Sequence, residues 1–96
     1  MRTIVRLPKA DNDLDEIWAY IAQDNPTAAY GVIKRIIGST ARLGDYPLSG
    51  PALGIADFRT LSIPPYMVVY KVSDDAILIV RVIHAARDIR RLNLAP

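Results

Sequence analysis

The sequence predicts an α+β domain of order β-α-α-β-β-β, a helical hairpin packed on a mainly antiparallel four-stranded sheet. Two stretches near the start repeat apolar residues at helical period and are separated only by Asp24-Asn25-Pro26-Thr27, a link short enough to fold them into a hairpin. The second half holds three apolar runs, 58–63, 66–72 and 76–85, joined by Pro64-Pro65 and Ser73-Asp74-Asp75, links that demand antiparallel neighbours. With 96 residues and 51% hydrophobic content, the chain is expected to bury one core as a single domain over 1–96.

Each element has a local reason. Thr3-Ile4-Val5-Arg6-Leu7 is short, largely β-branched and closed by Pro8, a first strand whose pairing partner the sequence leaves open. Asp11, Asn12 or Asp13 then caps a helix in which Leu14, Ile17, Trp18 and Ile21 form one apolar stripe, with Trp18 in the core and Asp15, Glu16 and Gln23 facing away. Asp13, Asp15 and Glu16 read as first-turn acids that favour the helix dipole and carry no chemistry.

Asn25 is a good N-cap for the second helix and Pro26 suits its first position, where no amide donor is needed. Ala29, Val32, Ile33, Ile36 and Ile37 supply its stripe, and Gly44 is placed as its C-terminal cap. Gly31 and Gly38 either permit close packing or are weak points. The Pro- and Gly-rich stretch 45–54 is an ordered loop.

Register decides which side chains share a face. Taking Ser73-Asp74-Asp75 as a three-residue loop sets Val72 opposite Ala76. Tyr66, Val68 and Tyr70 then join Leu78, Val80, Val82 and His84 on an apolar face, and Met67, Val69, Lys71, Ile77, Ile79, Arg81 and Ile83 occupy the other. In this register Tyr66, Tyr70 and His84 are packing residues, His84 half-buried.

Composition narrows the function classes. The net charge is +2, the isoelectric point about 9.2 and the mean hydropathy +0.15. Charge is segregated: 11–24 holds five acids and no Lys or Arg, whereas 81–91 holds four arginines against Asp88 alone. Such a dipolar surface suits an anionic partner, an acidic protein or nucleic acid. No apolar run approaches the roughly 20 residues of a membrane span, and the N-terminus lacks the apolar segment of a signal peptide, so a cytoplasmic protein without membrane contact is expected. Zero cysteines exclude a disulfide framework and thiolate ligands, and one histidine is too few for an imidazole site, so no metal and no cofactor are expected.

Arg59, Lys71, Arg81, Arg87, Arg90 and Arg91 are candidates for anion contact, since guanidinium forks match carboxylate and phosphate. Arg87 and Asp88 can equally pair with surface charges at little gain. His84 at the end of the last strand suits general acid or base work, although a packed histidine is the commoner outcome. Ser39, Ser49, Ser62 and Ser73 lie in no recognisable nucleophile context.

Asp13-Leu14 through Ile21-Ala22, Pro47 with Gly50, Tyr66 through Val72 and Arg81-Val82-Ile83-His84-Ala85-Ala86-Arg87-Asp88 resemble, in order and spacing, the RelE/ParE superfamily of bacterial toxins. The resemblance implies a toxin of a type II toxin-antitoxin module, neutralised by the C-terminal segment of a cognate antitoxin. Members that cleave messenger RNA on the ribosome resemble one another in a set of basic residues and often a tail tyrosine. Here those positions read Phe58 and Thr60 around Arg59, then Met67, then Arg87, then Leu92-Asn93-Leu94, so only Arg87 matches.

The ParE branch, with its Ile-Trp-x-Tyr-Ile-Ala helix and His-x-x-Arg-Asp ending, is the better match. That branch implies a ParD-like antitoxin as partner and DNA gyrase as target, poisoned by protein contact and not by hydrolysis, so an inhibitor is expected before an enzyme. Arg59, Arg81, His84, Arg87, Asp88, Arg90 and Arg91 are then the target- or anion-contact candidates, with direct nucleic acid contact open. The alternatives are a ribosome-dependent mRNA endoribonuclease of the RelE type and a non-toxic antitoxin-binding member of the fold.

Overall fold

A computed structural model describes residues 1–87, 89–92 and 94 of the chain, Arg90 by its backbone only. The order is β1 (Thr3–Arg6), α1 (Pro8–Ala22), α2 (Pro26–Ala41), a 3₁₀ turn (Arg42–Gly44), β2 (Arg59–Ile63), β3 (Tyr66–Val72), β4 (Ala76–His84) and a second 3₁₀ turn (Ile89–Arg91). The four strands form one mixed sheet in the order β1-β4-β3-β2. β1, left unpaired by the sequence, runs parallel to β4 over Ala76 to Ile79, and the other pairs are antiparallel. No helix among the described residues is long and apolar enough to cross a membrane.

The sheet separates two apolar layers. Ala10, Leu14, Ile36 and Leu43 meet Ile63, Val68, Tyr70, Ile77, Ile79 and Val82 in the main core. On the other side Phe58, Val69 and Val80 are covered by Leu7 from the link between β1 and α1, by Leu53 and Ile55 from the loop before β2, and by Ile89 and Leu94 from the tail.

The second helix starts as expected, with Asn25 Oδ1 accepting the Ala28 amide at 3.0 Å and Pro26 in the first turn. The first helix begins earlier than the acids suggest, at Pro8, because Pro at that position needs no amide acceptor. Asp13 therefore lies in its second turn and points inward. The buried stripe becomes Ala10, Asp13 and Leu14, continued by half-buried Ile17 and Ile21, and this rotation leaves Trp18 at the flank, 46% exposed and outside the core.

The expected register of β3 and β4 is wrong by one residue at the turn. Ser73 and Ala76 close the hairpin, the Ser73 amide donating to the Ala76 carbonyl at 2.8 Å and Ser73 Oγ accepting the Ala76 amide at 3.1 Å. Only Asp74 and Asp75 remain as the loop, so Val72 pairs with Ile77 and Ile77 and Ile79 turn to the helices. A bulge then inserts Val80, after which Val69 opposes Arg81 and Val68 opposes Val82. Two one-residue slips restore parity. Val82 and His84 thus return to the expected face, while Val80 joins Val69 on the other.

The loop 45–54 is stitched to the sheet. Tyr70 donates its phenol hydrogen to the Pro47 carbonyl at 2.8 Å, and its oxygen accepts the Gly50 amide at 3.1 Å. Arg59 donates through Nε to the Gly50 carbonyl at 2.8 Å and through Nη2 to the Leu48 carbonyl at 3.3 Å. A Cβ on Gly50 would overlap the Thr60 carbonyl. Gly44 is not a left-handed cap: it ends the 3₁₀ turn, where a Cβ would stand 2.6 Å from the Arg2 carbonyl oxygen, and its own carbonyl accepts the Arg2 amide.

Gly31 and Gly38 are exposed, with nothing within 4 Å of a Cβ at either position, so they permit no close packing and are weak points of α2. Gly31→Ala and Gly38→Ala are each expected to stabilise the fold by about 0.5–1 kcal/mol. Gly50→Ala is expected to destabilise it by more than about 1 kcal/mol. Midpoints of urea unfolding at unchanged slope check all three.

Candidate functional site

β1 ends its pairing at Ile79, whose carbonyl accepts the Leu7 amide, and the chain turns into α1. Beyond that point no strand among the described residues pairs with β4 on this side. The Val82 amide is satisfied by a side chain, Asp13 Oδ2 at 2.9 Å. The same carboxylate receives both arms of Arg81, Nε to Oδ2 at 2.7 Å and Nη2 to Oδ1 at 2.9 Å, in a fork-to-fork pair. Both side chains are largely buried, Asp13 at 7% and Arg81 at 13% exposure. The hydrogen bond that Arg81 donates to Asp13 raises the Arg81 pKa above its ordinary value, with the nearby charges of Asp13 and Glu16 adding to it.

Above this pair lies a cleft of about 320 Å³ between α1 and the end of β4. Ile17, Val82 and Ile83 give it apolar walls, and Glu16, Tyr20, Tyr66, His84 and Arg87 bring polar groups to it. The rim is held by the chain that follows β4. Ala85 donates its amide to the Pro65 carbonyl at 2.9 Å and Arg87 donates its own to the His84 carbonyl at 3.0 Å, closing a turn. The Ala86 amide donates to His84 Nδ1 at 3.1 Å, so the neutral imidazole carries its hydrogen on Nε2. The Tyr66 ring meets the imidazole edge to face, with centroids 5.9 Å apart.

His84 is exposed at this rim, not half-buried. Its strand has run past β1, and Tyr66 on β3 is its strand neighbour.

The candidate residues separate into two groups. Arg81 and Arg59 have intramolecular partners, Asp13 for one and the carbonyls of Gly50 and Leu48 for the other. Lys71 likewise sits 4.7 Å over the Phe58 ring and 3.4 Å from Asp57. His84 and Arg87 come together in the cleft, both exposed, and the Arg87 guanidinium makes no hydrogen bond or ion pair with another described residue. Arg91 lies exposed in the second 3₁₀ turn, Arg90 is described there by its backbone alone, and Asp88 lies outside the described residues.

Asp13, Glu16 and Tyr20 were missed by sequence reasoning. Their signal was an acid sitting between Ala10 and Ile17 on what is otherwise one apolar stripe, which the aromatic bulk of Trp18 outweighed. Chemically the cleft offers a fork for an oxyanion, a carboxylate for a cation and two phenols over an apolar floor. Among the described residues no group of three His, Asp or Glu side chains could hold a metal ion.

The family model for the ParE toxin of the type II toxin-antitoxin system, parDE, matches residues 4–89. The chain is 39% identical over 88 residues to toxin RelE2 of Caulobacter vibrioides, a match that covers 91% of this chain and 99% of that one. Its fold superposes on a chain of the chromosomal ParDE toxin-antitoxin system of P. aeruginosa with a TM-score of 0.77 at 24% identity, covering 88% of this chain and 96% of the other. The toxin-antitoxin complex RelBE2 of Mycobacterium tuberculosis contains a chain with a TM-score of 0.62 at 23% identity, covering 86% and 96%.

Asp13→Ala is expected to cost about 3–5 kcal/mol, because it leaves the Arg81 charge buried without its partner. Replacing both, Asp13→Leu with Arg81→Met, is expected to recover only part of that, since the Val82 amide still lacks an acceptor, a loss of about 1–3 kcal/mol. Urea unfolding of the two variants checks the order.

Proposed function

The chain belongs to the ParE toxin family of type II toxin-antitoxin systems, and from that premise we propose that it arrests growth by binding and poisoning DNA gyrase and is held inactive by a ParD-like antitoxin. The carrying observation is the state of the arginines. In-line cleavage of RNA needs cations aimed at the charge that develops on the phosphorane. Arg59 and Arg81 spend their forks on carbonyl oxygens and on Asp13, which leaves Arg87 as the guanidinium of the cleft, with the Glu16 carboxylate in the same lining. A mixed-charge cleft with phenols and apolar walls suits a protein surface better than a polyanion. Arginine and tyrosine are also the side chains that most often dominate protein contacts.

One observation favours the nuclease reading: His84, Glu16, Arg87 and Tyr66 line a single cleft, and such groups can move protons and bind phosphate. A paired assay separates the two. Purified toxin is expected to abolish gyrase supercoiling while leaving messenger RNA intact in a translating extract. Arg87→Ala is expected to weaken that inhibition about tenfold, the equivalent of 1.4 kcal/mol. Cleaved message with normal supercoiling would sink the gyrase proposal and make His84 the first catalytic suspect. A protein inert in both assays that still binds its antitoxin would be a non-toxic member.

A further inference from the structure

A second cleft, of about 370 Å³, opens between the end of α2, the loop that follows it and β2, and it shares no lining residue with the first. Ser39, Arg42, Tyr46, Ser49, Leu61 and Ser62 line it. None of the three serine hydroxyls, the Tyr46 phenol or the Arg42 guanidinium makes a hydrogen bond or ion pair with another described residue. β2 is the last strand of the sheet, and the Thr60 amide on its outer edge donates to the Pro51 carbonyl. Ser62, two residues on, presents its amide to that same edge. The lining therefore supplies hydrogen-bond donors and one cation. Among the described residues no carboxylate is part of the lining, and Asp45, though adjacent to Tyr46, is not in it.

We propose that this cleft is an oxyanion site for a phosphate group, with the Arg42 fork as its clamp and the serine hydroxyls as its further donors. Donor number decides between phosphate and carboxylate. Arg42, Tyr46, Ser49 and Ser62 are exposed and Ser39 partly buried, so water meets any donor a ligand leaves, and a carboxylate with two oxygens engages fewer of the guanidinium and hydroxyl donors at once. A phosphate accepts on three or four oxygens and meets more of them. The partial negative charge at the end of α2 opposes an anion here, and Arg42, which follows directly on that end, offsets it. At about 370 Å³ the space lies at the lower end of small-molecule sites, larger than a bare ion needs. Tyr46, 68% exposed, offers a ring on which a base can stack. The phosphate source is thus a nucleotide or the free anion.

The test is an amide-resolved NMR titration of the full chain with inorganic phosphate, adenosine 5′-monophosphate and adenosine. Saturable shifts are expected at Ser39, Arg42, Ser49 and Ser62 with the two phosphate compounds and not with adenosine. Arg42→Ala is expected to weaken binding at least about tenfold, and Arg42→Lys less, with the unfolding midpoint of Arg42→Ala lowered only slightly, by the loss of an exposed charge at the end of α2, and that of Arg42→Lys unchanged. Tighter binding of the nucleotide, lost in Tyr46→Ala, assigns the nucleotide as source, and equal affinities assign free phosphate. The proposal fails if neither phosphate compound gives saturable shifts, if the shifts centre on His84 and Arg87, or if Arg42→Ala binds as well as the parent.

Discussion

One carboxylate, Asp13, holds α1 to β4, and much of the rest of the fold depends on where it sits. Its two oxygens take three donors, two from Arg81 and one from the Val82 amide, at 2.7 to 2.9 Å in a largely buried position. A bare charge there would be costly, and so would the unpaired amide of a strand that has outrun its neighbour. Each defect cancels the other. Meeting both fixes the rotation of α1, and with it the burial of Ala10 and Leu14 and the exposure of Trp18. The same contact fixes the segment of β4 just past the bulge at Val80, which supplies Val82, Ile83 and His84 to the cleft.

A buried ion pair is weak grounds for stability, because an apolar pair of similar volume often does as well. Its value here is geometric. A leucine in place of Asp13 would pack against β4 without preferring one register, whereas the carboxylate distinguishes the Val82 amide from its neighbours. The cleft walls inherit that precision, and the turn after β4, bonded to Pro65 and to itself, carries it out to His84 and Arg87.

On the other side of the molecule Tyr70 and Arg59 pin the loop 45–54 in the same manner, by supplying partners to backbone groups that no strand reaches. The protein thus uses polar side chains to finish its sheet at two places. Each use commits a guanidinium to an intramolecular partner. The basic character that composition assigns to the second half of the chain is partly internal, so the surface near the cleft carries mixed charge, and Arg87 stands out at the rim through the commitment of its neighbours.

Much of the architecture was legible in the sequence. Helical period gave the hairpin, Asn25 and Pro26 gave the start of α2, and the runs after residue 58 gave three antiparallel strands, because these depend on neighbours within a few positions of one another. The chain by itself determined the element order, the fold class and the presence of His84 and Arg87 at the end of the last strand. Tertiary structure decided the parallel pairing of β1 with β4, the bulge at Val80, the outward place of Trp18 and the employment of Arg59 and Arg81. Those outcomes turn on partners far apart in sequence, 68 residues in the case of Asp13 and Arg81. No periodicity reports which buried donor a distant carboxylate will find, and a hairpin one residue shorter than expected reverses the faces of a strand until a bulge turns them back.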